Sequence, residues 1–304
     1  MRLLPATILA ATLLAPGILA AHDSPEHVVE ILTARMETVG ERADLLWRRA
    51  TEYRALRNHP AAARDLKRAI KLRKDYLPAY VDLSRVQLAL GQRRRALWTI
   101  DRALRLAGGE SDRAPLRMVK AEVLAESSRF DEALRECDLA LAGSSGGELD
   151  WFLTRSQIQC RLGRFNEAAA GLRRGFELTG SAVLEVECID AMIDAGQFAE
   201  ARGKVEAALN ESRYRSSWLL RRARIHLGQG EMTEGHRDLA DAIAEMNRRM
   251  SPTHPESGLL SERGFAYALL GDVGLAKRDL LAARKSGADA AMLRRLELAL
   301  NAAR

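Results

Sequence analysis

One phrase recurs along the chain, and its recurrence limits the fold more than any other feature. It reads LALGQRRRALWTIDRAL at 88–104, AESSRFDEALRECDLAL at 125–141, CRLGRFNEAAAGLRRGF at 160–176, IDAGQFAEARGKVEAAL at 193–209, LGQGEMTEGHRDLADAI at 227–243 and ALLGDVGLAKRDLLAAR at 268–284, with a weaker copy, RALRNHPAAARDLKRAI, at 54–70. Between the equivalent small residues Ala62, Ala96, Ala133, Ala168, Ala201, Gly235 and Ala276 the steps are 34, 37, 35, 33, 34 and 41 residues. A unit of this length holds two helices and their turns. A hairpin so small cannot bury its apolar face alone, so neighbours must stack to make a core.

Inside a unit the helical period is plain. Tyr80, Leu83, Gln87 and Leu90 form one face that stops at Gly91, whose backbone suits a sharp turn, and Ala96, Ile100 and Ala103 open the second helix at spacings of four and three. Small residues mark where two antiparallel helices cross closely. One helix offers Ala50, Ser84, Ala121, Ser156, Ala223 or Gly264 and its partner offers the small series above, because a larger side chain would push the backbones apart. Tyr53, Leu66, Leu83, Phe130, Phe165, Leu172, Phe198 and Leu239 are expected to fill the layer around each crossing. Composition agrees with helices throughout: aromatics are 5% and Pro 8 residues.

On these residues the chain resembles the tetratricopeptide repeat family, over about seven units from Asp44 to Ser286. The resemblance implies an all-α, right-handed α-solenoid of helix-turn-helix repeats at 44–286, with capping helices at 22–43 and 287–304. Two units depart from the family pattern. The first has Arg57-Asn58-His59-Pro60 where a turn glycine is usual, and the fifth has Ile189 where a small residue is usual. Ser24 followed by Pro25 reads as the start of a helix over 25–39, and an amphipathic tail follows Gly287, from Ala288 to Ala303. The stretch MNRRMSPTHPESG lengthens the sixth unit and is expected to be a loop because of Pro252 and Pro255.

Residues 1–21 differ from the rest. Arg2, an apolar run from Leu3 to Ala15, the Pro16-Gly17 breaker and a small-residue exit form the plan of a secretory signal, with cleavage after Ala20 or Ala21. An uncleaved anchor is the alternative. Export to the periplasm or beyond is the expected localisation, with no membrane span once the signal is removed. The three cysteines, Cys137, Cys160 and Cys188, are an odd number without a CxxC pair and read as free, mostly buried thiols.

The formal charge is +6, with 7 Lys among 47 basic residues. Because the arginines are interleaved with acids along the whole length, no one-sided basic stripe for nucleic acid is visible. No Gly-rich phosphate loop, HExxH, GxSxG or paired CxxC occurs. The histidines are scattered; His22 with His27 is the one pair that could hold a metal, and a solvated tail explains it better. Carboxylates such as Glu122 with Glu126, or Glu187 with Asp190 and Asp194, share a helix face, but acid/base work needs a water-excluding pocket. No catalytic residue, cofactor or metal is therefore expected.

In the resembled family the first helix of each unit lines a concave groove. Matching register assigns to it Arg48, Thr51, Asp82 and Arg85, then Glu122, Glu126, Thr154, Gln157 and Arg161, then Glu187, Asp190 and Asp194, and finally Arg221, Arg224 and Glu262. Two basic clusters flank an acidic middle, a pattern that suits a partner segment with acidic residues near its ends; some of these charges would instead pair between neighbouring repeats. The Lys/Asn arrangement with which some family members hold a C-terminal carboxylate is absent from this register. The expected function is a non-enzymatic exported scaffold that binds a peptide segment or partner protein. The alternatives are a structural or assembly component of an envelope export machinery, and an enzyme or metal-handling accessory.

Overall fold

The computed structural model of the chain describes residues 24–143, 148–251, 253–288 and 290–302. The export segment expected at 1–21, His22 and Pro252 lie outside these residues. Among the described residues the chain is all-α, with sixteen helices and no strand. It divides after Ser128 into two compact units. The first holds α1 (Pro25–Val39), α2 (Ala43–Ala55), α3 (His59–Leu72), α4 (Leu77–Ala89), α5 (Arg93–Leu106) and α6 (Glu110–Glu126). The second holds α7 (Phe130–Ala142), α8 (Leu149–Arg161), α9 (Phe165–Thr179), α10 (Ala182–Asp194), α11 (Phe198–Glu211), α12 (Ser216–Gly228), α13 (Met232–Arg249), α14 (Ser257–Leu269), α15 (Val273–Lys285) and α16 (Ala290–Ala302).

The hairpin turns share one geometry. Gly91, Gly163, Gly196, Gly230 and Gly271 all have φ between 71 and 83°, and in each case the next residue's N–H donates to the carbonyl five positions back, as Gln92 does to Gln87 at 2.8 Å and Asp272 to Tyr267 at 2.9 Å. This closes the orphan carbonyls of the first helix with a left-handed cap. The first repeat, without the glycine, makes the same turn: Arg57 takes φ 55° and Asn58 N–H donates to the Tyr53 carbonyl at 2.7 Å. The Asn58 side chain then accepts from Ala61 N–H and caps α3.

The small residues sit at the crossings. Ala50, Ala62, Ala96, Ala121, Ala133, Ala168, Ala201, Ala223 and Ala276 are fully buried. A Cβ on Gly235 would stand 2.8 Å from Leu227, and one on Gly264 2.8 Å from Leu296 and 3.1 Å from Asp279, so no larger residue fits without displacing its neighbour. At the α4–α5 crossing Ser84 donates to the Ala96 carbonyl at 3.0 Å. In the fifth repeat the bulkier Ile189 is buried in the same place, and α10 rests chiefly on α9 of the preceding repeat, with a slighter contact to its own partner α11.

Three hairpins carry a clasp that the phrase comparison does not single out. Arg49 makes a two-bond ion pair with Asp65, Arg222 with Asp238 and Arg263 with Asp279, all at 2.7–2.9 Å and all 16 residues apart. In each the arginine precedes the small residue of the first helix and the aspartate follows the small residue of the second by three. The aspartates are buried, and bidentate guanidinium geometry satisfies both carboxylate oxygens at once.

Each unit has its own core. Leu46, Leu66, Tyr80, Ile100 and Leu116 centre the first, joined by Leu32 and Met36 of α1; Leu172, Leu184, Met192, Ile225 and Leu239 centre the second. Leu296 and Leu300 of α16 pack with Ala268, Ala276 and Leu280. One expectation is corrected: the sixth-unit insertion is not all loop, because Met246–Arg249 continue α13, where Met246 is fully buried. Helix formers without a Gly or Pro run on until the following prolines stop them.

Candidate functional site

The residue that follows each first-helix small position forms one row. In the first unit it is Thr51, Arg85 and Glu122; in the second, Gln157, Asp190, Arg224 and Phe265. Two pairs within the row bridge neighbouring repeats. Arg85 grips Glu122 through Nε at 3.1 Å and Nη2 at 2.9 Å, and Arg224 grips Asp190 through Nη1.

In the first unit Asp82 is not an open groove charge. It is buried, accepts from Trp47 Nε1 at 2.6 Å and pairs with Arg54 Nη1; a carboxylate held between two donors fixes α2 on α4 instead of meeting solvent. Arg48 is exposed, with no ion pair among the described residues. Thr51 donates to the Trp47 carbonyl at 3.2 Å. The Glu126 side chain is exposed, and its carbonyl accepts from Arg93 at 2.9 Å. Thr51, Arg54, Ala55, His59, Arg85, Val86 and Ala89 enclose a hollow of about 380 Å³ between α2 and α4. None of these lining residues is acidic, and His59 Nδ1 is buried without a hydrogen-bond partner.

In the second unit Gln157 and Arg161 are exposed and Thr154 half-buried, with the Arg161 guanidinium 5.5 Å from the Phe130 ring centroid. Beyond them lies the densest charge cluster. Asp190 is 2% exposed and receives three guanidinium groups: Arg221 Nη2 at 2.7 Å, Arg224 Nη1, and Arg295 Nη1 at 3.0 Å. Arg224 also reaches Asp194 at 2.5 Å, and Arg295 lies 3.8 Å from Glu187. Burial alone would raise the Asp190 carboxyl, but Arg221, Arg295 and Arg224 outweigh it and hold it well below the usual carboxylate range. Burial, then Asp190, pushes Glu187 up. Burial, with Asp194 nearby, raises the Cys160 thiol to about 11, so this thiol stays protonated at neutral pH and is a poor nucleophile. All three cysteines are free. Glu262 accepts from Ser217 Oγ at 2.7 Å.

The expectation of a free basic cluster at Arg221 and Arg224 is therefore corrected. Both guanidinium groups are spent on Asp190 and Asp194, because the row places opposite charges on adjacent repeats. Arg54, Trp47 and His59 went unassigned, although Arg54 lies one turn beyond Ala50 on the Thr51 face and was legible by period. Arg295 was not legible, since the tail helix has no repeat register to place it. His27 of the expected metal pair is exposed and lies 3.8 Å from Glu30, while His22 is not among the described residues. No described helix is long and apolar enough to cross a membrane.

No family model and no curated protein sequence matches the chain. Solved structures do. A tetratricopeptide repeat protein from Parabacteroides merdae is 15% identical, with 85% of this chain and 98% of that chain covered and a TM-score of 0.58. PilW, a type IV pilus biogenesis factor, is 17% identical over 69% of this chain and 95% of its own, with a TM-score of 0.53. Pseudomonas aeruginosa pilF is 16% identical over 68% and 90%, with a TM-score of 0.52. Likeness at this level of identity carries architecture, and it agrees with the hairpin period, the left-handed turns and the small-residue crossings. The chain has the fold of the tetratricopeptide-repeat proteins.

Proposed function

We propose that the protein is a non-enzymatic scaffold of the bacterial envelope that binds a peptide segment or partner protein along its first helices. The observation that carries this reading is the first-unit part of the row, in which Thr51 and the Arg85–Glu122 pair lie at one register on successive first helices beside a hollow between α2 and α4. A row of this kind suits reading an extended or helical segment, because each repeat contributes one contact at a fixed interval. Arg48, the exposed cation beside the row, is available to steer an acidic partner. The secretory plan of residues 1–21 supports export. A structural role in an envelope assembly line is the second reading, favoured by the fold likeness to PilW, itself named for pilus biogenesis.

Two measurements test the proposal. Mass spectrometry of the protein from its native host should find an N-terminus at Ala21 or His22; an intact Met1 in envelope fractions would overturn cleavage, and recovery from the cytosolic fraction would overturn export. Cross-linking followed by purification from envelope extracts should recover a partner, and Arg48→Glu with Arg85→Glu should weaken its capture by about tenfold or more, with the helical signal unchanged. The control is Arg135→Glu with Arg173→Glu; Arg135 is exposed, and Arg173 pairs with Glu200 on the neighbouring second helix. If the control pair weakens capture equally, the first-helix surface is not the binding face.

A further inference from the structure

We propose that α16 is an internal occupant of a docking surface on the second unit, and that an arginine-bearing amphipathic helix of a partner protein takes its place there. The inference rests on the scaffold reading and names the chemistry of the segment bound.

Arg295 lies 105 residues beyond Asp190, yet it reaches that residue on α10 past α12 and α14. α16 itself packs on α14 and α15, and its Arg295 side chain extends from there to the α10 carboxylates. Charge then defines what the surface accepts. Glu187, Asp190 and Asp194 on α10 supply three carboxylates, whereas Arg221 and Arg224 on α12 supply two guanidinium groups. The surface without α16 is therefore one cation short. Arg295 fills the deficit, and it is the one ion-pair partner of Glu187 among the described residues. A guanidinium fits better than an ammonium here, because its planar fork meets Asp190 with Nη1 while Nη2 lies nearer Glu187.

The apolar half of the recognition is equally defined. Leu296 and Leu300, one turn apart, are 0% and 5% exposed and pack with Ala268, Ala276 and Leu280. Gly264 makes room for the first of them, since a Cβ there would stand 2.8 Å from Leu296 Cδ2. The outer face of α16 carries Met292 and Leu298, 50% and 64% exposed. The helix is thus held by one apolar face, by Arg295 on the α10 carboxylates and by Arg284 of α15 on its Glu297, a single layer of contacts of the kind that opens below the global unfolding free energy. The seated sequence states the rule for a competitor: a helix with Arg-Leu-x-x-x-Leu at the spacing of Arg295, Leu296 and Leu300.

The test uses the full chain and a fluorescein-labelled, acetylated peptide with the sequence of residues 287–302, followed by fluorescence anisotropy. Leu296→Glu in the protein should undock α16. The peptide should then bind this variant about tenfold more tightly than the unaltered protein, and Arg295→Gln in the peptide should weaken binding about tenfold, the loss of a charge-assisted hydrogen bond. Equal affinity for both proteins, or for both peptides, overturns the proposal. Should Leu296→Glu lose its helical signal, native-state hydrogen exchange on the unaltered chain decides. The amides of α16 should open at lower free energy than those of α12, and saturating peptide should speed them further; exchange only through global unfolding overturns it. A partner captured through Arg48 and Arg85 while α16 stays protected would sink this inference and leave the scaffold reading standing.

Discussion

Arg57 occupies a backbone region that a side chain makes costly. Its φ of 55° is the left-handed conformation that glycine supplies at five other hairpin turns, and for an L-residue that conformation costs about 1–2 kcal/mol. The Arg57 side chain is exposed and makes no hydrogen bond or ion pair among the described residues, so nothing offsets the strain. Arg57→Gly should therefore stabilise the protein by about 0.5–1 kcal/mol, the relief of strain less the entropy glycine loses on folding. Equilibrium denaturant unfolding measures it, and an unchanged or lower midpoint would show that the turn is not strained. The same residue shows what the sequence hid. A missing glycine reads as a broken repeat, whereas the structure keeps the turn and spends local strain on it, because the flanking helices are already fixed by their crossing at Ala50 and Ala62.

At the scale of the helix pair, the crossing decides both stability and legibility. Ala168 is fully buried where α8 meets α9, while Ala170, two residues on along α9, is exposed. Ala168→Trp should destabilise by about 1–3 kcal/mol through overpacking, and Ala170→Trp should leave the thermal midpoint within a degree or two. A neutral effect at Ala168 would mean that the crossing lies elsewhere and that the repeat register is misplaced. The register was readable because close approach forbids bulk, and that constraint repeats at the hairpins other than the fifth, where Ile189 stands at the crossing. The ion pairs were not readable in the same way. Arg49 with Asp65, Arg222 with Asp238 and Arg263 with Asp279 share a 16-residue spacing, but Leu83 with Thr99, Arg155 with Gly171 and Cys188 with Lys204 stand at the same positions elsewhere, so a comparison of the whole phrase averages it out. Ile189 marks the converse case, since a single bulky residue at a crossing changes which neighbour α10 leans on while leaving the helix itself intact.

At the scale of the whole chain, the cluster on Asp190 joins segments that the sequence holds 105 residues apart, and no period could have announced it. Its acid response follows from the charges that face it. Asp190 meets Arg221 and Arg224 from α12 and Arg295 from α16, with Glu187 and Asp194 on its own helix and the protonated Cys160 beside them. Because its folded carboxyl is held well below the ordinary value, its contribution is fully present above the unfolded carboxylate value, about 3.9, and is lost as pH falls toward the folded one. Asp190→Asn should cost about 3 kcal/mol at pH 7, since it leaves Arg221 and Arg224, both largely buried, around a neutral amide. Below about pH 4 the difference between the two proteins should shrink by about 1.4 kcal/mol per pH unit, because the unfolded chain of the unaltered protein gains a proton that its folded cluster refuses. Burial, the main cause of the raised Glu187 carboxyl, acts in both proteins, whereas the part due to Asp190 is lost in the variant and eases Glu187 back toward its ordinary value. Urea unfolding of both proteins at pH 7, 4 and 3 makes the comparison. Equal stability at pH 7, or a gap that stays constant down to pH 3, would show that the cluster is solvated and that Arg295 does not hold α16 to the first helices of the second unit.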